Sequence, residues 1–190
     1  MTRQMFMAVV VLLAGCVNSP GWPERDGAKR LRRAGYDGAT ITKIIQGRPL
    51  PETVCHDLES IRNQDVGFLL ARNPHLGIEQ MTRLSRRKND FVRAGLARNP
   101  SLTAELIDTL RNDSSHTVWI GLAANPSLET KALLELRKQH GLDWSWFAMN
   151  PACPAQIVEK IRHSGDKKAL YWLDRTKKNL RGWPIEKPQS

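Results

Sequence analysis

Only three cysteines occur among the 190 residues, at 16, 55 and 153. A chain so poor in thiols has no disulfide framework to stand in for a hydrophobic core. Long apolar runs are missing as well. The run from Met5 to Leu13 is about half of the roughly 20 residues that a bilayer-spanning helix needs. No HExxH, paired CxxC, glycine-rich phosphate loop or GxSxG elbow is found, and the five histidines (56, 75, 116, 140 and 163) share no metal-site spacing. These absences point away from an enzyme and away from a metal or cofactor. Acidic residues are scarce: 19 stand against 29 Lys and Arg, a formal charge of +10.

The sequence opens MTRQMFMAVVVLLAGC, with Arg3 before the apolar run and two small residues before Cys16. A short basic start followed by a short apolar run reads as an export signal. Leu13-Ala14-Gly15-Cys16 resembles the lipobox of bacterial lipoproteins. That resemblance implies cleavage before Cys16, diacylglycerol on its thiol and acylation of the new amino terminus. Val17 rather than Asp follows, which in that family favours the outer membrane, facing the periplasm, over the inner. Residues 1–15 contain one Arg and no acid, so the mature chain keeps 28 basic and 19 acidic residues, +9.

A fixed period runs through the rest. Asn-Pro recurs at 73–74, 99–100, 125–126 and 150–151, in steps of 26, 26 and 25. Three residues before each Asn stand Leu70, Leu96, Leu122 and Phe147; two before stand Ala71, Ala97, Ala123 and Ala148. Seven before are Val66, Val92 and Val118. Downstream, Leu76, Leu102, Leu128 and Cys153 follow Pro by two, and Leu84, Leu110, Leu136 and Ile161 by ten. Gly47-Arg48 takes the same slot in a degenerate earlier copy, and ALYWLDRT (169–176) matches the front half of a later one. Fixed periods of this length mark stacked repeats with atypical end units.

Each unit reads as two short helices. The first carries apolar residues at i, i+4 and i+5 and stops at Asn-Pro, because a residue before proline is pushed from helical angles. The second starts about three residues after Pro, where Pro51, Thr103 and Pro154 suit a cap or first turn. Neither helix buries its stripe alone, so the units must stack. The pattern Val-x-x-x-Leu-Ala-x-Asn-Pro-x-Leu resembles the leucine-rich repeat variant family over about residues 40–176. That resemblance implies an all-α, right-handed solenoid in which α and 3-10 helices alternate. Some members hold an iron–sulfur cluster on an N-terminal cysteine-rich segment; Cys16 is the only cysteine before these repeats, so no cofactor carries over.

The expected organisation is a signal peptide (1–15), a Pro- and Gly-rich tether (16–27) and a repeat domain (28–182), then a tail (183–190). Within the domain, AKRLRRAG (28–35) is a short basic helix. Repeats follow near 40–65, 66–91, 92–117, 118–142 and 143–168, with a half-repeat at 169–182. Four units separate Cys55 from Cys153, at about 8–10 Å per helical layer, too far for a disulfide. Both are expected to be buried thiols.

Function is expected on equivalent slots of successive units. The slot before Asn holds Arg72 and Arg98, and the slot six before it holds Arg93, Trp119 and Trp144. These offer cations and π faces to an extended acidic partner, although Trp146 and Trp172 also suit a plug for the end of the stack. The reading is a lipid-anchored, non-enzymatic interaction protein that binds an acidic protein segment or an anionic envelope polymer. An accessory envelope component and an inhibitor both fit. The competing reading is a nucleic-acid binder, since basic helical repeats can cradle phosphates. It requires the export signal to be misread.

Overall fold

The computed structural model describes residues 22–179, so the signal peptide, Cys16 and the 183–190 tail lie outside the described residues. These residues form twelve α-helices and no strand. They are α1 (Trp22–Arg33), α2 (Gly38–Ile45), α3 (Glu52–Ser60), α4 (Gln64–Ala71), α5 (Ile78–Ser85) and α6 (Asp90–Ala97). Then come α7 (Ala104–Arg111), α8 (His116–Ala123), α9 (Thr130–His140), α10 (Trp144–Ala148), α11 (Ala155–His163) and α12 (Lys167–Asn179). The repeat is visible in where they begin. Helices α2, α4, α6 and α8 start at 38, 64, 90 and 116, and α3, α5, α7, α9 and α11 at 52, 78, 104, 130 and 155. Both helices of each pair are α; no 3-10 helix of the kind implied by the family resemblance occurs among the described residues.

Helix ends follow local chemistry. Asn63, Asn89 and Ser115 cap α4, α6 and α8 by accepting backbone N–H bonds from the first turn, which satisfies donors that no helical carbonyl can reach. Pro51, Thr103 and Pro154 stand at the N-caps of α3, α7 and α11, as the sequence suggests. Each of α4, α6, α8 and α10 closes on the recurrent Ala two residues before Asn-Pro.

Two rows of helices result. In one, α4 packs on α6 and α6 on α8, while α10 packs on α12; in the other, α5 packs on α7. The recurrent residues Val66, Leu70, Leu96, Val118, Leu122 and Phe147 lie at 0–1% exposure, except for Val92 at 7%. Each such side chain contributes roughly 1.5–3 kcal/mol when fully buried. The first row packs closely because α6 and α8 each present a glycine. A Cβ on Gly95 would meet the Phe68 carbonyl oxygen at 2.7 Å, and one on Gly121 the Ala94 carbonyl oxygen at 2.6 Å.

The Asn of Asn-Pro has a second role besides its place before proline. Asn99 Nδ2 donates to the carbonyls of Ala71 and Asn73, at 2.9 and 2.7 Å. Asn125 repeats this on Ala97 and Asn99 (2.7 and 2.9 Å), and Asn150 on Ala123 and Asn125 (3.4 and 2.7 Å). Asn73 donates to the Arg48 carbonyl, which starts the ladder one residue past the slot given by register. Meanwhile each Oδ1 accepts the N–H two residues on, from His75, Ser101, Ser127 and Ala152. Asn is thus both turn former and rivet. A buried ladder of this kind satisfies carbonyls that a helix end leaves without partners.

Three details differ from the sequence reading. The first helix begins at Trp22 rather than near 28, so residues 22–27 of the expected 16–27 tether are helical. Its start is held by Glu24, 5% exposed and ion-paired at 3.0 Å to Arg72, the residue that caps the end of α4. It is also α1, more than the register-matched α2, that packs on α4. Helix α9 runs on to His140 and ends at Gly141 in the left-handed region (φ 62°), which leaves α10 only five residues. Finally, Cys55 is buried but Cys153 only partly so, and neither is bridged. No described helix is long and apolar enough to cross a membrane.

Candidate interaction surface

The turns that lead from one unit to the next form one edge of the stack, at 61–63, 86–89, 112–115 and 141–143. Backbone carbonyls left over at the ends of α3 and α7, and in the turn after α5, are taken up by side chains of the following unit. Arg87 donates to the Glu59 carbonyl at 3.0 Å, and His140 Nε2 lies 2.9 Å from the Arg111 carbonyl oxygen. Arg93 does most. It donates to the carbonyls of Arg87 (2.6 Å) and Lys88 (3.0 Å), and makes two bonds to the Asp113 carboxylate at 2.7 and 2.9 Å. One guanidinium therefore ties two successive inter-unit turns, which its planar fork of donors suits.

The electrostatics follow. Burial by itself would raise the Asp113 carboxyl, but the Arg93 bonds, the Ser115 N–H and the Arg93 charge together hold it below its ordinary value. The Arg93 guanidinium is raised by the same hydrogen bonds.

The five sequence-nominated residues are placed as follows. Arg72 is engaged by Glu24 and the Ile45 carbonyl. Arg93 is the turn clip just described. Arg98 is 8% exposed and presents no cation at the surface. Trp119 stacks on His140, with ring centroids 3.8 Å apart and planes at 19°. Trp144 lies under the Arg137 guanidinium, 4.0 Å from ring centroid to Cζ. The expected ladder of Arg93, Trp119 and Trp144 therefore has the right spacing along the stack, but each member faces a partner within the chain. Three equivalent slots solve one problem in three ways: an ion pair, a ring stack and a cation–π contact. Beside them, His116 meets Trp119 and Trp146 edge-on at 6.0 and 6.3 Å. Its pKa is lowered, first by burial and then by the His140 charge, against an opposing pull from Asp143.

The outward side of this edge carries basic residues outside the slots nominated from the sequence. Arg62 and Lys88 occupy equivalent positions in successive units, 26 residues apart, and Arg86 precedes Lys88 by two. All three are exposed, and no ion pair joins them to a described residue. The signal was available: these are the basic residues of the turns that fall on no apolar slot.

Among the described residues, no group of three or more His, Cys, Asp or Glu is placed to hold a metal ion. An open groove of about 430 Å³ lies between α9 and α11, lined by Thr130, Lys131, Leu134, Glu135, Lys138 and Gln156. It contains a single carboxylate, so no acid–base pair of carboxylates is assembled there. Compared with family models, curated proteins and solved structures, the chain matches none.

Proposed function

We propose that the chain is a lipoprotein anchored through Cys16, in the outer membrane facing the periplasm. Its repeats wind as a right-handed solenoid of the leucine-rich repeat variant type, with α-helices in both positions of each unit. On this reading the domain is a non-enzymatic interaction module that holds an acidic protein segment or an anionic envelope polymer. One observation carries it: exposed Arg62, Arg86 and Lys88 stand on two successive turns, 61–63 and 86–89, whose units are held in step by the Arg87 bond to the Glu59 carbonyl and the Asn73 bond to the Arg48 carbonyl. Cations on two turns one repeat step apart match a linear polyanion better than a compact ligand, because each turn meets a separate stretch of it.

The test is capture from crosslinked envelopes by wild type and by the triple variant Arg62→Ala, Arg86→Ala, Lys88→Ala. These residues hold no helix together, so the variant stays folded and loses the partner. Retention of every partner refutes the proposed edge. A basic stack also fits nucleic acid; recovery of DNA or RNA from intact cells, together with cytoplasmic fractionation, would replace the interaction-lipoprotein reading with that one.

A further inference from the structure

We infer that the outward face of α1 is a membrane-docking surface, which lays the first end of the stack against anionic lipid headgroups. This rests on the lipoprotein reading for its location but on separate residues for its chemistry. Arg25, Lys29, Arg32 and Arg33 are exposed at i, i+4, i+7 and i+8, one face of the helix. Arg30 is exposed beside them, and so are Lys43 on α2, the helix packed next to α1, and Arg48 just beyond it. Of the described acids of this region only Asp26 pairs with a cation of this face, Lys29, which leaves Arg25, Arg30, Arg32 and Arg33 in excess. Glu24 is buried against Arg72, Asp26 sits 3.4 Å from Lys29, and Asp37 is engaged in capping α2.

The inner face of α1 cannot turn out to take the place of this one. Leu31 is fully buried, and a Cβ on Gly27 would lie 2.7 Å from Leu69 Cδ1, so the helix sits tightly on α4. The cations are therefore held on one fixed, outward face of the helix. Such a face suits a plane of phosphates, which needs charge but no shape match. Reach agrees: six residue steps from Cys16 to Trp22 span at most about 22 Å. The anchor would hold α1 beside the headgroups whatever path those residues take.

The experiment uses the purified full chain on vesicles of phosphatidylcholine alone or mixed with phosphatidylglycerol. Lysine acetylation by a water-soluble reagent reads which face is covered. On the mixed vesicles at low salt, Lys29 and Lys43 should be protected several-fold relative to Lys131 and Lys160, which lie on α9 and α11. High salt should remove the protection, and so should the variant Arg25→Gln, Arg32→Gln, Arg33→Gln. Retention on both vesicles with Lys29 equally reactive on each overturns the inference and leaves the anchor standing. Protection on mixed vesicles without retention on neutral ones supports the α1 face and refutes the anchor. Binding to neither overturns both. Protection of Lys29 by a poly-glutamate peptide but not by mixed vesicles also overturns it, in favour of an acidic protein partner.

Discussion

Replacing Asn125 by Ala should destabilise the domain more than its small change in volume suggests. The side chain is 0% exposed. Its Nδ2 donates to the Ala97 and Asn99 carbonyls of the preceding unit, and its Oδ1 accepts from the Ser127 N–H and hydroxyl, each at 2.8 Å. Alanine leaves two buried carbonyls without their donor, and each such orphan costs about 1–3 kcal/mol. The loss should total roughly 3–5 kcal/mol, in the tail of single-mutant effects. Asn125→Asp sharpens the test. It keeps the Oδ1 acceptor and the volume but turns a carboxylate oxygen toward the two carbonyls. Its carboxyl should therefore titrate high in the folded state, and the variant should be relatively stable at acidic pH and weaken as pH rises through that value. Urea unfolding followed by circular dichroism, with exposed Asn112→Ala as control, reads the difference. A loss within about 0.5 kcal/mol for Asn125→Ala, the range of ordinary surface changes, would refute the rivet.

Gly121→Ala places a methyl 2.6 Å from the Ala94 carbonyl oxygen and should cost about 1–3 kcal/mol by overpacking. Gly38→Ala, with nothing within 4 Å of its added Cβ, should be neutral or stabilising; equal losses from the two in thermal melts would contradict the close helix approach. Arg93→Leu should destabilise at neutral pH. Because the folded Asp113 carboxyl lies below its ordinary value, the pair's contribution is present above that value and fades as pH falls through the folded one. The gap between mutant and wild type should then narrow in acid to what the Arg87 and Lys88 carbonyl bonds contribute, and a pH-independent gap would sink the ion-pair explanation. Asp65 is buried with its carboxyl raised, first by burial and then by Asp26, against Arg30. Its stability contribution is complete below the ordinary carboxyl pKa and lost as pH rises, so Asp65→Asn should raise Tm at neutral pH and not at about pH 3. In the native protein Cys153 should alkylate before Cys55, whose thiol burial pushes up; after denaturation without reductant both should react. Cys16→Ser should leave unprocessed precursor without lipid label, and a normally processed variant would refute the lipobox.

Chain chemistry alone was enough for the helices, because their cues are local. Apolar spacing, capping residues and proline act within a few positions, so the 26-residue step, the helix stops before Asn-Pro and the starts after Pro51, Thr103 and Pro154 could be read directly. Partners one unit away could not. The alternation of Arg93, Trp119 and Trp144 reads as an exposed ladder on a single strip of sequence, yet Asp113, His140 and Arg137 face those residues once the units stack. Likewise the recurrent Asn marks a helix stop in sequence, while its Nδ2 bonds require carbonyls 25–28 residues earlier to arrive beside it. The entry of α1 into the stack brings together residues far apart in sequence, Glu24 with Arg72, 48 residues on, and Gly27 with Leu69. Local pattern fixes which backbone groups and cations are left over; only packing decides which of them find partners and which, like Arg62, Arg86 and Lys88, remain at the surface.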